Sequence, residues 1–265
     1  MIPRPRAPAA PHGRARPPAA GAAALAGLLL AACGGPGRAA RPDPVVAVPA
    51  ALPFFIPMPD ETRARIVEAA AAQIDHGPGA FRVGGRRYRA DCSGFVAAVY
   101  HAAGIPFREA LHVGDEDAGS AVVALYRALA SSGVLFGGDG LPLPGDLVFW
   151  HDTYDRNGNR LADDPLTHVG VVERAGAGGA VTFFHRGARG VARGAMSLRH
   201  PSSERGGAGE RLNSRLRPAR PDDPPGTRYL AGELFAAFGR FDAARIAAAL
   251  EGSPDLSLSA LGFDE

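Results

Sequence analysis

The sequence predicts an α+β domain, and three observations carry that prediction. A helix-period apolar run begins at Asp60, with Ile66, Ala69, Ala70 and Ile74 on one face, and the Gly77-Pro78-Gly79 run stops it. A second helical run, from Phe95 to Ala103, follows the Asp91-Cys92-Ser93-Gly94 stretch and ends at Gly104, a good residue to follow a helix. Three β-type runs come next, at 144–150, 167–173 and 180–186, rich in Val and Phe and bounded by turn residues. Asp60 and Asp91 are read as the N-caps of the two helices. A last helix is expected over 229–241, after an Arg- and Pro-rich, insertion-like stretch at 191–228.

The chain has 265 residues, 35 Gly and 24 Pro. Gly and Pro concentrate before residue 60 and around 201–227. That leaves a globular part of about 180 residues, one ordinary domain. The formal charge is +2, and every basic residue is Arg. Residues 1–32 hold Arg4, Arg6, Arg14 and Arg16 and no acid, so taking these four from +2 leaves the rest at −2. The basic balance belongs to the leader, which removes the electrostatic argument for nucleic-acid binding.

Residues 19–30 form an apolar run of about a dozen residues, shorter than the ~20 a membrane-spanning helix needs. Its length, with a basic stretch before it and small residues after it, fits a signal peptide. The run closes on Leu30-Ala31-Ala32-Cys33-Gly34, which resembles the lipobox of bacterial lipoproteins. The resemblance implies cleavage before Cys33, acylation of Cys33, and a membrane anchor of more than one acyl chain. Gly34 rather than Asp after the cysteine favours the outer membrane by resemblance to enterobacterial sorting. The expected organisation is a signal peptide at 1–32, a Pro/Ala-rich tether at 33–60, a catalytic domain at 61–250 and a tail at 251–265. The apolar residues 52–56 are candidates to dock on that domain.

Asp91 as N-cap places Cys92 in the first helical turn. There the helix dipole and free N–H groups favour a thiolate, and the same N–H groups suit a developing oxyanion. A lone buried cysteine is just as often structural, so helix position alone leaves the question open. Pro144-Gly145-Asp146 turns into a strand ending at Trp150, with Asp146 read as a turn-bonding residue. His168 opens the strand at 167–173, and His185 lies near the end of the strand at 180–186.

As a set, these pieces resemble the NlpC/p60-type cell-wall cysteine peptidases, a branch of the papain-like superfamily. The matching segments are 91–96, 144–150, 167–172 and 183–185, in the family's order. The resemblance covers about residues 62–190. It implies a Cys-bearing helix packed on a small antiparallel sheet, with Cys92 as nucleophile, His168 as general base and His185 orienting His168. It further implies cleavage of amide bonds in peptidoglycan stem peptides, often between D-Glu and a diamino acid, without metal or organic cofactor. Phe81-Arg82-Val83-Gly84-Gly85 stands where many members carry an aromatic-Arg-Tyr-Gly-Gly run, so a Tyr hydroxyl is missing. Tyr88 and Ser93 are the candidates to assist the oxyanion or hold substrate. A resting thiolate–imidazolium pair is expected, with activity centred near neutrality.

Residues 155–164 alternate carboxylates and amides like the start of a Ca²⁺ loop, but Leu166 stands where a bidentate Glu belongs. An Asx-rich surface turn is the stronger reading. Arg82, Arg86, Arg87 and Arg89 can grip substrate carboxylates or simply line a solvated loop. His151 is the second candidate base, whereas His76, His101, His112 and His200 stand in no motif. An amidase or acyltransferase on the same scaffold, and a non-catalytic wall-binding lipoprotein, remain as alternatives. The chain is expected to be monomeric.

Overall fold

The computed structural model describes residues 55–74, 76–77, 79–105 and 120–251. The leader, Cys33, the tether up to residue 54, His112 and the tail from residue 252 lie outside the described residues. The chain is α+β. Helix α1 (Asp60–Ala71) buries Thr62, Ile66 and Ala70. Pro59, not Asp60, holds its N-cap position, and Asp60 and Glu61 instead complement the dipole from the first turn. The expected tether also ends earlier than residue 60. Ile56 N–H donates to Asp242 Oδ2 (3.2 Å), Ala243 N–H donates to the Ile56 carbonyl (2.8 Å), and Met58 is buried.

A hairpin follows, β1 (Phe81–Val83) with β2 (Arg86–Tyr88). Helix α2 (Cys92–Ala102) has Asp91 as its N-cap, and Gly104 takes a positive φ of 88° just past its end. The residues from Ser93 to Tyr100 are buried, as an almost wholly apolar helix requires. Helix α3 (Ala121–Ser132) runs directly into β3 (Gly133–Phe136). Then come β4 (Leu147–Trp150), β5 (His168–Gly176), β6 (Ala180–Gly187) and β7 (Gly190–Ser197). The described chain closes with a single helical turn α4 (Ala231–Leu234), β8 (Phe235–Phe241) and α5 (Ala243–Glu251).

Six strands form one antiparallel sheet in the order β3-β8-β4-β5-β6-β7. Period-two alternation separates its faces. Leu147, Phe149, Val169, Val171 and Phe184 join the core that holds α1, α2, α3 and Ile246 of α5. Val148, Trp150, Val172, Phe183 and Phe238 point to the opposite face, which Ala231, Leu234 and Leu216 cover.

Two expectations are corrected here. Residues 191–197 are not part of an insertion but the edge strand β7, paired along its length with β6. The rest of that stretch packs on the second face and is pinned by Asn213, which is fully buried. Asn213 Oδ1 accepts the N–H groups of Ser197 and Gly232 (both 2.9 Å), and its Nδ2 donates to the carbonyls of His200 and Ser203. The helix expected over 229–241 is one turn followed by β8, which lies between β3 and β4. Its apolar spacing fits a helix as well as a doubly buried strand, and pairing on both sides decides for the strand.

Asp146, expected to bond the turn, does more. Its Oδ2 accepts the Leu143 N–H (2.7 Å), and Arg240 of β8 donates to both its carboxylate oxygens (3.0 and 2.7 Å). Asp146 is nearly excluded from solvent and Arg240 partly so, and the pair ties the start of β4 to β8. Asp146→Ala is expected to lower stability by roughly 1–3 kcal/mol, because it leaves the partly buried Arg240 guanidinium and the Leu143 N–H without their shared partner. Urea unfolding checks this, and a loss below 1 kcal/mol would show that the pair is incidental.

Candidate active site

The N-terminus of α2 is built by its own sequence. Asp91 Oδ1 accepts the Gly94 N–H (2.8 Å) and the Ser93 hydroxyl (2.7 Å), and Arg89 Nε donates to Oδ2 (2.8 Å). Burial pushes the Asp91 carboxyl up, but these donors outweigh it and hold the pKa below its usual value. A side chain on Gly94 would meet the Arg89 carbonyl at 2.2 Å, so only glycine lets the incoming chain pass this close to the first turn. Cys92 is a free cysteine with part of its residue surface open to solvent.

The imidazoles come from β5 and β6. His168 Nε2 and His185 Nδ1 are 3.0 Å apart, with ring planes at 81°. His168 also lies beside Trp150 (5.7 Å between centroids) and His185 beside Phe183 (5.5 Å). Trp150 is held in turn by its indole N–H, which donates to the Ala231 carbonyl (3.0 Å). Gly170 makes room for this arrangement, since a Cβ there would come within 3.3 Å of the indole ring and 2.7 Å of the Phe184 carbonyl. With Nε2 committed to His185, Nδ1 is the ring nitrogen of His168 left to take up a proton. That role requires the tautomer in which Nε2–H donates to His185.

Strand alternation puts His168 on the Trp150 face, whereas α2 packs on the other. The link between them runs through the backbone of the residue that follows His168. The Cys92 sulfur accepts the backbone N–H of Val169, the residue after His168, and the N–H groups of Ser93 and Cys92 itself also turn toward it. Burial nonetheless pushes the thiol up to about 11, ahead of those donors, and the Asp91 charge adds to the rise. Burial holds His168 well below its ordinary value, with the neighbouring His185 adding to the effect, and brings His185 to about 4. The expected resting thiolate–imidazolium pair is therefore replaced by a neutral thiol on α2 and two neutral imidazoles on β5 and β6.

Other expectations also change. The Tyr88 hydroxyl bonds His101 Nδ1, near the far end of α2 and roughly 13 Å along the helix from Cys92, so it does not serve the oxyanion. The Ser93 hydroxyl is spent on Asp91, and its contribution at the sulfur is its backbone N–H. His151 Nδ1 accepts the Leu166 N–H (3.0 Å) and anchors a loop. Among the described residues, no group of three His, Cys, Asp or Glu is arranged to hold a metal. In 155–164 the side chains cap the loop itself: Asp155 accepts the N–H groups of Gly158 (2.8 Å) and Arg160 (3.1 Å), and Asn159 donates to Asp163 (2.9 Å). Arg82, Arg86 and Arg87 are exposed on the β1–β2 hairpin, and Arg89 is paired with Asp91.

The 151–167 loop brings a residue that sequence reasoning missed. Thr153 is tied to Thr167, the neighbour of His168, through both its N–H and its hydroxyl (2.9 Å each). Asp152 and Asp164 exchange bonds behind it, and Arg217 donates to the Asp152 carbonyl (2.9 Å). Tyr154 projects from this anchored backbone, 46% exposed. Its phenol is pushed up by burial first, against the pull of Arg156, with smaller rises from the Cys92, Asp164 and Asp91 charges. A long, polar connection carries no motif, so only the folded loop reveals it.

No family model, curated protein or solved structure matches this chain.

The displaced pKa values give a signed pH dependence. Between about pH 4 and 6.5 the unfolded chain binds protons on His168 and His185 that the folded chain refuses, so stability falls as pH drops through this window. Between 9.0 and about 11 the folded chain keeps a proton on Cys92 that the unfolded thiol loses, so stability also falls as pH rises there. Urea midpoints across pH should form a plateau between these limits, with the alkaline limb flattened in Cys92→Ala. Alkylation of Cys92 by iodoacetamide should keep accelerating above pH 9. A rate already constant below pH 8 would identify an ion pair instead.

Proposed function

We propose that this chain is a cell-envelope cysteine hydrolase with an NlpC/p60-type, papain-like fold, acting on amide bonds of peptidoglycan stem peptides. The observation that supports it most is the joint placement of a helix-capped cysteine and a histidine pair. The Cys92 sulfur takes the N–H of the residue next to His168, whose ring is oriented by His185.

In this reading His168 Nδ1 takes the Cys92 proton as the sulfur attacks the substrate carbonyl, forming the C–S bond. Negative charge then develops on the carbonyl oxygen at the N-terminus of α2, where backbone N–H groups are available without reorganisation. His168 returns the proton to the leaving amine as the C–N bond breaks, and a water, deprotonated by His168, releases the thioester. Proton transfer between a raised thiol and a lowered imidazole is uphill for each group alone. Two opposite charges about 4 Å apart attract by roughly 4 kcal/mol at an effective dielectric of about 20, which offsets part of that cost. His185 supports the imidazolium by accepting its Nε2 proton.

The lipobox-like run at Cys33 supports a lipid-anchored form of this hydrolase, facing the periplasm. The raised thiol pKa, and the placement of His168 on the sheet face opposite α2, favour the alternative, a non-catalytic wall-binding lipoprotein.

Digestion of purified sacculi, followed by mass spectrometry of the released muropeptides, separates these readings. Cys92→Ala and His168→Ala should abolish turnover, with losses of at least about 10²–10⁴-fold expected for a general base. His185→Ala should cost less, because water can partly replace an orienting group. Cys92→Ala that digests as well as wild type would leave only the binding role. Incorporation of a labelled fatty acid should be lost in Cys33→Ser, and retention of label would remove the anchor.

A further inference from the structure

We propose that the β1–β2 hairpin is a docking surface for an anionic phospholipid membrane. The inference goes beyond the hydrolase reading and does not depend on catalysis; it takes from that reading only the anchor at Cys33. Residues 76–90 contain Arg82, Arg86, Arg87 and Arg89 and no Asp or Glu. The chain beyond residue 32 carries −2 overall, so this stretch is a local positive excess on an acidic background.

The hairpin fixes how those charges are displayed. Its register pairs Phe81 with Tyr88 and Arg82 with Arg87. Phe81 and Tyr88 are buried, so strand alternation turns Arg82 and Arg87 to the outer face, directly opposite each other, and both are exposed. Gly84 and Gly85 close the turn with φ values of 55° and 78°, the left-handed pair that a tight two-residue loop requires. The inner face is held firmly. Phe81 stacks on His76 (4.7 Å between centroids) and packs on Phe95 of α2 (5.9 Å), and the Tyr88 hydroxyl bonds His101 Nδ1.

Like charges directly across a ladder are destabilising. Among the described residues neither the Arg82 nor the Arg87 guanidinium has a hydrogen bond or ion pair to relieve the repulsion. A third guanidinium stands behind them. Arg186 of β6 is 5% exposed and lies 5.7 Å from the Phe81 ring. Its Nε has no partner, and its Nη1 makes only a long bond to the Gly187 carbonyl (3.4 Å). Arg89 differs, being paired with Asp91. The fold thus gathers positive charge here without neutralising it, and an anionic partner turns the repulsion into attraction. Solvent screens an exposed pair against one small anion, whereas a surface of many anionic head groups attracts every nearby arginine at once. Cys33 and Phe55 are 22 residues apart, a span of at most roughly 70–80 Å. An acylated chain therefore keeps the hairpin within reach of a bilayer, which favours lipid over a soluble polyanion.

Flotation of the full chain with phosphatidylcholine vesicles, with and without an equal part of phosphatidylglycerol, tests this surface. A Cys33→Ser background keeps acyl chains out of the comparison, and the leader is common to every protein compared. The chain should prefer the phosphatidylglycerol vesicles, and the preference should fade in roughly 1 M salt, where screening shortens to about 3 Å. Arg82→Gln with Arg87→Gln should weaken binding to these vesicles by roughly 30-fold. Lys at both positions should restore it, because a membrane reads charge and not the guanidinium fork. The urea midpoint of the Gln variant should not fall, since the change removes a repulsion. Equal binding to both vesicles, or binding that the Gln variant leaves unchanged, overturns the proposal. So does a Gln variant that loses affinity for purified sacculi but not for vesicles. Cys92→Ala should bind vesicles as the parent does. A chain that docks on phosphatidylglycerol but digests no sacculi keeps the surface and loses the hydrolase reading, and the reverse result does the opposite.

Discussion

The N-terminus of α2 meets the sheet where β5 and β6 part. Their ladder begins at Gly170 and His185, so the Val169 N–H lies beyond the first paired residues and turns to the Cys92 sulfur. This contact ties the first turn of a helix to the first turn-out of a strand. It brings together two local structures that are each made by their own sequence: the Asp91 cap with its glycine two residues after the cysteine, and a β-branched strand opened by histidine. Without it, a partly buried cysteine and a partly buried histidine would be packing residues on opposite faces of one sheet.

The same sheet explains the electrostatics. Trp150 and Phe183 make an apolar floor under the imidazoles, and the α2 core encloses the sulfur from the other side. Burial from both faces penalises each charge separately, so the resting site is neutral. In the proposed hydrolase reading, charge would appear only when the thiol gives its proton to the imidazole, at the N-terminus of α2 where backbone N–H groups are available. The Asp91 carboxylate needed for the cap works against the thiolate, and backbone donors at the sulfur partly counter it.

The second face also redefines the chain after β7. Polar, Pro-rich sequence between 198 and 230 has no periodicity of its own, yet it is ordered by Asn213, Arg217 and Arg215 paired with Glu204, and it closes over Trp150 through Ala231. It thereby fixes the 151–167 loop and the position of Tyr154. Bonds between segments 65 residues apart, such as Arg217 to Asp152, leave no mark in either segment alone.

What the sequence by itself determined is local. The α1 and α2 helices, the β-type runs at 144–150, 167–173 and 180–186 and the Asp91 cap were legible, because caps, glycines and apolar periodicity act over a few residues, whereas Cys92, His168 and His185 were singled out through the family resemblance. The helix over 229–241 was misread, since an Ala- and Phe-rich run satisfies both periods until neighbouring strands claim it, and the α1 cap stands one residue earlier than expected, at Pro59. Only the tertiary structure decided which partner each polar group keeps. Tyr88 went to His101, Ser93 to Asp91, and the two histidines to each other over aromatic rings. It also decided the protonation state, because burial is a property of everything packed around a group and not of the residues beside it in the chain.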